Sequence, residues 1–260
     1  MSLLCYTYNR HADAPKITIV TVVLNNVQHV ALTIKSVLDQ TYTNKEYIII
    51  DGGSTDGTLS EINRYRMLVH KIVSESDRGV YDAMNKALKI ASGEWIVFMN
   101  SGDQFFENDT LANVFSKRYR CDTAVIFGDS KVLYPSGKMR LRQAGSAERL
   151  WQGSQFSHQS SFSRLGFHAR NEFLLSDGIA ADFGFFYRAW IDGVTFERLN
   201  YPVSIVRSGG ISDVRRLEAI RQWSTIVRPS LKSSFYFRYR TLRELVSSLV
   251  KQGLYRLGVR

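Results

Sequence analysis

The chain has 260 residues, a formal charge of +10 and 44% hydrophobic residues; this is near the upper size for a single hydrophobic core, so one domain with an appended tail is expected rather than two equal domains. The charge is confined to one end. Residues 215–260 carry eleven Lys and Arg against two acids, so the first 214 residues sum to about +1. A nearly neutral body excludes the broad basic footprint of a nucleic-acid-binding domain and points the tail alone at an anionic surface such as a lipid headgroup layer.

Taken in chain order, residues 1–15 read as a flexible N-terminus without the apolar run of a signal peptide. Residues 17–24 are an almost unbroken β-branched run, the composition of a strand covered on both faces. Val30, Ile34, Val37 and Leu38 then fall at helical spacing, and 46–50 gives a second apolar strand, which completes a βαβ unit. A helix over 58–66, a strand over 71–74, a helix over 80–91 and a strand over 95–99 continue the alternation. In the 80–91 helix, Val80, Ala83, Met84, Ala87, Leu88 and Ala91 form one apolar stripe, with Asp82, Asn85, Lys86 and Lys89 opposite.

Beyond residue 100 the pattern is looser. A strand is expected over 123–127, a hairpin pairing 131–133 with 138–141, and a helix over 182–191. Gly209-Gly210 reads as a hinge before a basic, amphipathic helical tail over 213–260, in which Leu242, Leu245, Val246, Leu249, Val250 and Leu254 line one stripe and arginines fill much of the rest. Such a helix suits a membrane interface, or packs on its own domain with solvated arginines. The two cysteines, Cys5 and Cys121, give neither a disulfide framework nor a zinc spacing, so a reducing cytoplasm is expected. Nothing approaches the roughly 20 apolar residues needed to span a bilayer.

Chemistry-bearing residues collect where apolar strands end. Asp51-Gly52-Gly53-Ser54-Thr55-Asp56-Gly57 follows the second strand, Asp77-Arg78-Gly79 the third, and Asn100-Ser101-Gly102-Asp103 the fourth. In an open α/β sheet that edge is the ligand crevice. A carboxylate there accepts from the N–H edge of a base, or caps a turn or helix. No dinucleotide or phosphate-loop glycine motif and no His-Glu-x-x-His occurs.

The ordered set Val-Leu-Asn (to Asn25), Ser36 to Tyr42, Ile50 to Thr58, Asp77-Arg78-Gly79, Ala83-Met84-Asn85 and the strand-terminal Asn-Ser-Gly-Asp resembles the nucleotide-sugar glycosyltransferases of family 2, with bacterial enzymes of capsule and colanic acid assembly the most similar. The likeness is strong over 17–129 and extends more weakly to about 212 through Ser157-His158-Gln159-Ser160 and Ala181-Asp182-Phe183. It implies a GT-A fold, Rossmann-like with a mostly parallel sheet flanked by helices, over residues 16–212. It further implies inverting transfer of a sugar from a nucleoside diphosphate, UDP-linked by expectation, to a hydroxyl of a saccharide or lipid-linked acceptor. The protein would then sit at the inner face of the cell membrane in bacterial surface polysaccharide synthesis.

By the same resemblance, Asn25, Asp51, Asp77, Arg78, Asn85, Asn100, Ser101 and His158 contact the donor, Asp51 at the base and Asp77 and Arg78 at base and ribose. Asp103 is the expected ligand of Mn²⁺ or Mg²⁺, and Asp182 the general base, with Asp177 as the fallback. Asp182 also reads as a helix N-cap, and His158 as a structural histidine. The chain departs from the family pattern at its cation motif. Where Asp-x-Asp is usual, Asn100-Ser101-Gly102 stands, and only Asp103 keeps a charge; a catalytically idle nucleotide- or carbohydrate-binding subunit is therefore the alternative.

Overall fold

The structure is a computed structural model that describes residues 14–256, with side chains to residue 250. Residues 1–13 of the expected loose N-terminus, with Cys5, lie outside the described residues, as do 257–260 and the side chain of Leu254.

The first half follows the hydrophobic pattern closely. The β-branched run forms β1 (Ile17–Val23), buried along its whole length, and crosses over through α1 (Val30–Leu38) to β2 (Lys45–Asp51). Helix α2 (Thr58–Asn63) is shorter than expected and gives way to a 3-10 turn at Arg66–Leu68, followed by β3 (Lys71–Ser74). Then come α3 (Val80–Leu88) and β4 (Trp95–Phe98). Side chains alternate across β1: Ile17 and Ile19 pack with α1 residues Val30, Ile34 and Val37. Val20 and Val22 pack with Ala83, Met84 and Ala87 of α3 on the other side. The sheet is thus the middle of three layers.

In α3 the expected stripe is buried at Ala83, Met84, Ala87 and Leu88, but the covered face extends further round the helix. Val80 is 37% exposed while Tyr81 and Asn85 are buried, so the face expected to meet solvent at Asn85 packs inward. The reason lies far along the chain: Asn85 exchanges two hydrogen bonds with the backbone of Phe173, and the Tyr81 hydroxyl reaches Ile179 O. Local periodicity carries no information about that covering segment.

The second half is built from short β5 (Gln104–Phe105), α4 (Thr110–Val114), and a long β6 (Thr123–Leu133) that joins two stretches read separately from the sequence. Gly128 lets β6 continue there, since a Cβ would sit 2.8 Å from Val203 Cγ2 and 2.9 Å from Tyr201 O. The hairpin to β7 (Met139–Arg142) forms as expected. Next come β8 (Ser161–Arg164), the short α5 (Leu165–His168), α6 (Ala181–Ile191) and the unforeseen β9 (Thr195–Arg207). The chain closes with α7 (Ile211–Val214), α8 (Arg216–Ile226) and α9 (Leu231–Arg256). Ala219, Ile220, Trp223, Val227 and Phe237 are buried in the same cluster as α3 and α6, so the segment expected as a tail from 213 contributes to the core.

Strand order is β3-β2-β1-β4-β8-β6-β9-β5, with β7 on β6. The first four strands run parallel. Strand β8 is antiparallel to both β4 and β6, and β9 is parallel to β6. These directions bring the C-terminal ends of β1, β2, β3, β4 and β9 to one edge, together with the N-terminal end of β8. Asn25, Asp51, Asp77, Asn100, His158 and Arg207 therefore meet there.

Candidate active site

The glycine-rich loops at this edge are fixed largely by their own side chains. Asp51 is fully buried and accepts from Ser54 N (3.2 and 3.3 Å) and Ser74 Oγ (2.6 Å). Asn25, in the left-handed region at φ 49°, accepts from Thr55 N at 2.8 Å. Gly52 makes room for the Asp77 carboxylate, with which any Cβ would collide; Asp51 and Asp77 are thereby brought together. Asp77 also accepts from Gly79 N at 2.8 Å, turning the chain into α3. Arg78, just ahead of α3, pairs with Asp82 of that helix at 3.1 Å and is otherwise largely exposed. Asn85 pins Phe173 and is buried. Ser101 is tied to the loop that follows β1 by Asn26, whose amide donates to Ser101 O (3.2 Å) and Oγ (3.0 Å). Asn26 escaped the sequence reading, although the Asn25-Asn26 pair at a strand end was the available signal.

From Asn100 a chain of hydrogen bonds runs into the second half. The Asn100 side-chain amide and His158 Nε2 are hydrogen-bonded at 3.1 Å. Nδ1 lies 3.0 Å from Asp182 Oδ2. Asp182 Oδ1 accepts from the Tyr81 hydroxyl at 3.0 Å and from Phe183 N at 2.7 Å. Asp182 lies in the first turn of α6, where Ala180 is the N-cap, so the competing capping role does not apply. Burial opposes charge on Asp182, but the bonds from His158, Phe183 N and Tyr81 outweigh it and hold the carboxyl below its ordinary range. Burial and the neighbouring Asp182 charge push the Tyr81 phenol well up, so it remains a donor. The Asp182 side chain keeps 23% of its surface open, and one lone-pair direction of Oδ2 is uncommitted. Asp177, the fallback base, is instead paired with Arg188 at 2.7 Å.

Asp103 differs from its expected role. Its side chain turns into the protein, where Oδ2 accepts from Gln159 Nε2 (2.7 Å) and Oδ1 from Arg207 N (2.9 Å). Burial pushes its pKa up to about 6 in spite of those bonds and of the charges of His158 and Arg207. A hard divalent cation needs several ionised or carbonyl oxygens around it. Asp103 is already spent, Asn100 and Gly102 are uncharged, and among the described residues no three His, Cys, Asp or Glu side chains are grouped to hold a metal. The residues present do not fit the cation expected at Asp103. Two buried polar atoms at this edge lack partners, the Asn100 Oδ1 acceptor and the Arg207 Nε donor.

A half-parallel sheet with polar loops gathered beyond its strand ends, and a histidine-held carboxylate beside them, defines an α/β protein of the GT-A class. The description Glycosyl transferase family 2 matches residues 18–171. A PGL/p-HBAD biosynthesis glycosyltransferase of Mycobacterium bovis is 30% identical over 210 residues, 77% of this chain and 80% of that protein. The putative teichuronic acid biosynthesis glycosyltransferase TuaG of Bacillus subtilis is 34% identical over 94 residues, 35% of this chain and 37% of that one. Among solved structures, the mannosyltransferase PcManGT of Pyrobaculum calidifontis, in complex with GDP-Man and Mn²⁺, shares the fold at TM-score 0.67 and 17% identity, over 95% of this chain and 84% of that one. S. aureus TarS 1–349 in complex with UDP does so at TM-score 0.61 and 17% identity, over 87% and 70%. The chain belongs to glycosyl transferase family 2, as its motifs implied.

Proposed function

We propose that the protein is an inverting glycosyltransferase that moves a sugar from a nucleoside diphosphate donor, UDP-linked in the first instance, to a hydroxyl of a saccharide or lipid-linked acceptor of the cell surface. The observation that carries this reading is the Asn100–His158–Asp182 chain. It couples the strand-end crevice to a carboxylate that is ionised at neutral pH. In the reaction the acceptor oxygen forms a bond to the anomeric carbon as the bond from that carbon to the phosphate oxygen breaks. The acceptor proton passes to Asp182 Oδ2, and the nucleoside diphosphate departs. His158 holds Asp182 in place and stabilises its charge, and Tyr81 orients the other oxygen. The UDP and GDP-Man bound by the structural neighbours support a nucleotide donor. The Mn²⁺ of the mannosyltransferase supports a cation in this fold, whereas the inward turn of Asp103 speaks against one here.

Comparing Asp182→Asn with wild type in donor turnover and in nucleotide binding tests the assignment. Turnover falling about 10³-fold with binding intact is expected for loss of a general base. Binding without turnover in the wild type would favour the idle-subunit reading, which Asn100 and Gly102 keep open.

The same reading includes peripheral contact with an anionic membrane at the cytoplasmic side. No helix among the described residues is long and apolar enough to cross a membrane. Helix α9 docks through Ser233 and Phe237, both buried, and through Arg240, bonded to Gln152 O. Its opposite face leaves Leu231, Phe235, Tyr239, Leu242, Val246 and Leu249 exposed, with Lys232, Arg238 and Arg243 around them. Apolar side chains rimmed by cations suit an interfacial helix. Replacing Leu242, Val246 and Leu249 together by Ser is expected to abolish cosedimentation with phosphatidylglycerol vesicles; unchanged cosedimentation would count against the contact.

A further inference from the structure

The departing nucleoside diphosphate gains negative charge as the glycosidic bond breaks, and a site must neutralise it with a metal ion or with fixed cationic donors. The carboxylates available at the β4 end do not gather for a metal. A permanent cation stands at the same place. Arg207 is the last residue of β9, and the strand directions set that end beside the end of β4. Its backbone N–H holds Asp103, while its side chain returns over the Asn100–Asp103 turn. A Cβ on Gly102 would lie 3.9 Å from Arg207 Nε and 3.9 Å from His29 Cβ. Gly102 occupies the position at which the resemblance calls for the second carboxylate of Asp-x-Asp, so a guanidinium borders the spot where a cation-binding oxygen is missing.

The Arg207 Nε is buried and makes no hydrogen bond. Among the described residues its guanidinium makes no ion pair within 4.0 Å, and its charge reaches Asp103 only from further off. An unspent buried donor on a planar cation is poised for an anion, and a guanidinium takes phosphate oxygens in a forked, two-bond geometry. The neighbouring unpaired acceptor, Asn100 Oδ1, can receive a hydroxyl of the sugar attached to the same phosphate.

We infer that Arg207, in place of a carboxylate-bound divalent cation, binds the diphosphate of the donor and takes up the charge of the leaving group. This rests on the strand-end crevice being a nucleotide-sugar site. The bond that breaks is the one between anomeric carbon and phosphate oxygen; its electron pair stays on that oxygen, and Arg207 receives the oxygen by hydrogen bonds without giving up a proton.

The test is calorimetric binding of UDP and UMP, with GDP and GMP in parallel, to wild type, Arg207→Met and Arg207→Lys, each in EDTA and again with Mn²⁺. Because Asp103 is held by the backbone of residue 207, the side-chain variants retain that contact, and thermal unfolding without nucleotide checks the fold. The wild type is expected to prefer the diphosphate over the monophosphate by about tenfold or more in EDTA, the scale of one charge-assisted hydrogen bond or two. Arg207→Met is expected to reduce that ratio to about one with monophosphate affinity retained, and Arg207→Lys to restore part of it. A wild-type preference that exists only with Mn²⁺, or one that survives Arg207→Met in EDTA, overturns the role of Arg207 while the donor site stands. Failure of all four nucleotides to bind the wild type in either condition overturns the donor site itself, and this inference with it.

Discussion

The two halves of the molecule hold their polar residues in different ways. In the β1–β4 half, the groups at the ends of β1, β2 and β3 are satisfied within that half: Asp51 by Ser54 and Ser74, Asn25 by Thr55 on the adjoining loop, Asp77 by Gly79, Arg78 by Asp82. In the second half the groups reach back over long stretches, His158 to Asn100, Asp182 to Tyr81, and Gln159 and Arg207 to Asp103. The first half thus supplies a rigid rim that forms as its βαβ units form. The Asp182 carboxylate is positioned only when the whole sheet has closed.

That contrast can be broken at graded points. The largest expected effect is on turnover: Asp182→Asn lowers kcat about 10³-fold, roughly 4 kcal/mol of transition-state stabilisation, with nucleotide binding retained. Equal activity in that variant would place the base elsewhere.

Next is a stability effect at Asp103. Its folded pKa of about 6 lies above the ordinary carboxylate value, so its protonated form is favoured in the fold; its contribution is present below about pH 4 and is lost as pH rises through 6. Wild-type stability relative to Asp103→Asn should therefore fall by about 3 kcal/mol between pH 4 and 8, read by urea denaturation at each pH. A flat difference would mean that the carboxylate is solvated.

His168 works in the opposite direction. It is wholly enclosed by Phe98, Phe173 and Phe185, and burial lowers its pKa to about 3. The stability of its neutral state is intact above pH 6.5 and declines as pH falls toward 3, because the unfolded chain takes up the proton first. At pH 5 that amounts to about 2 kcal/mol, and His168→Phe should remove this acid-side loss.

The smallest expected effect is at Arg78, whose side chain is 77% exposed in its pair with Asp82. Arg78→Ala should alter stability by less than about 0.5 kcal/mol. Any loss of nucleotide affinity in this variant would then be a direct donor contact rather than a fold defect, and no loss would assign Arg78 to α3 alone.

How much could be read in advance follows the same division. Strands β1 to β4 and helices α1 and α3 were legible because burial on both sheet faces writes unbroken apolar runs, and crossover helices write a 3.6-residue stripe. Strand β9 was not, since Thr195–Arg207 mixes polar, aromatic and proline residues and is half-buried along much of its length. Asp182 was expected from the family motif alone, and the Tyr81 and His158 that bond it lie in separate motifs that nothing local connects. The inward turn of Asp103 was not legible, because the groups that draw it inward lie 56 and 104 residues further on. Asn85 was assigned to the wet side of its helix because its cover, Phe173, belongs to the other half.

The two-sided character of α9 has a practical consequence for anyone wishing to handle this enzyme in solution. Its greasy outer flank invites removal of the last 30 or so residues to improve behaviour, but the inner flank would go with it: Phe237 would be stripped from the packing around Trp223, and Arg240 from the face of that indole, 4.8 Å away. Shortening the protein would trade one sticky surface for another. Swapping the outward leucines and valines for polar residues, with the backbone left whole, is the sounder route to a tractable sample.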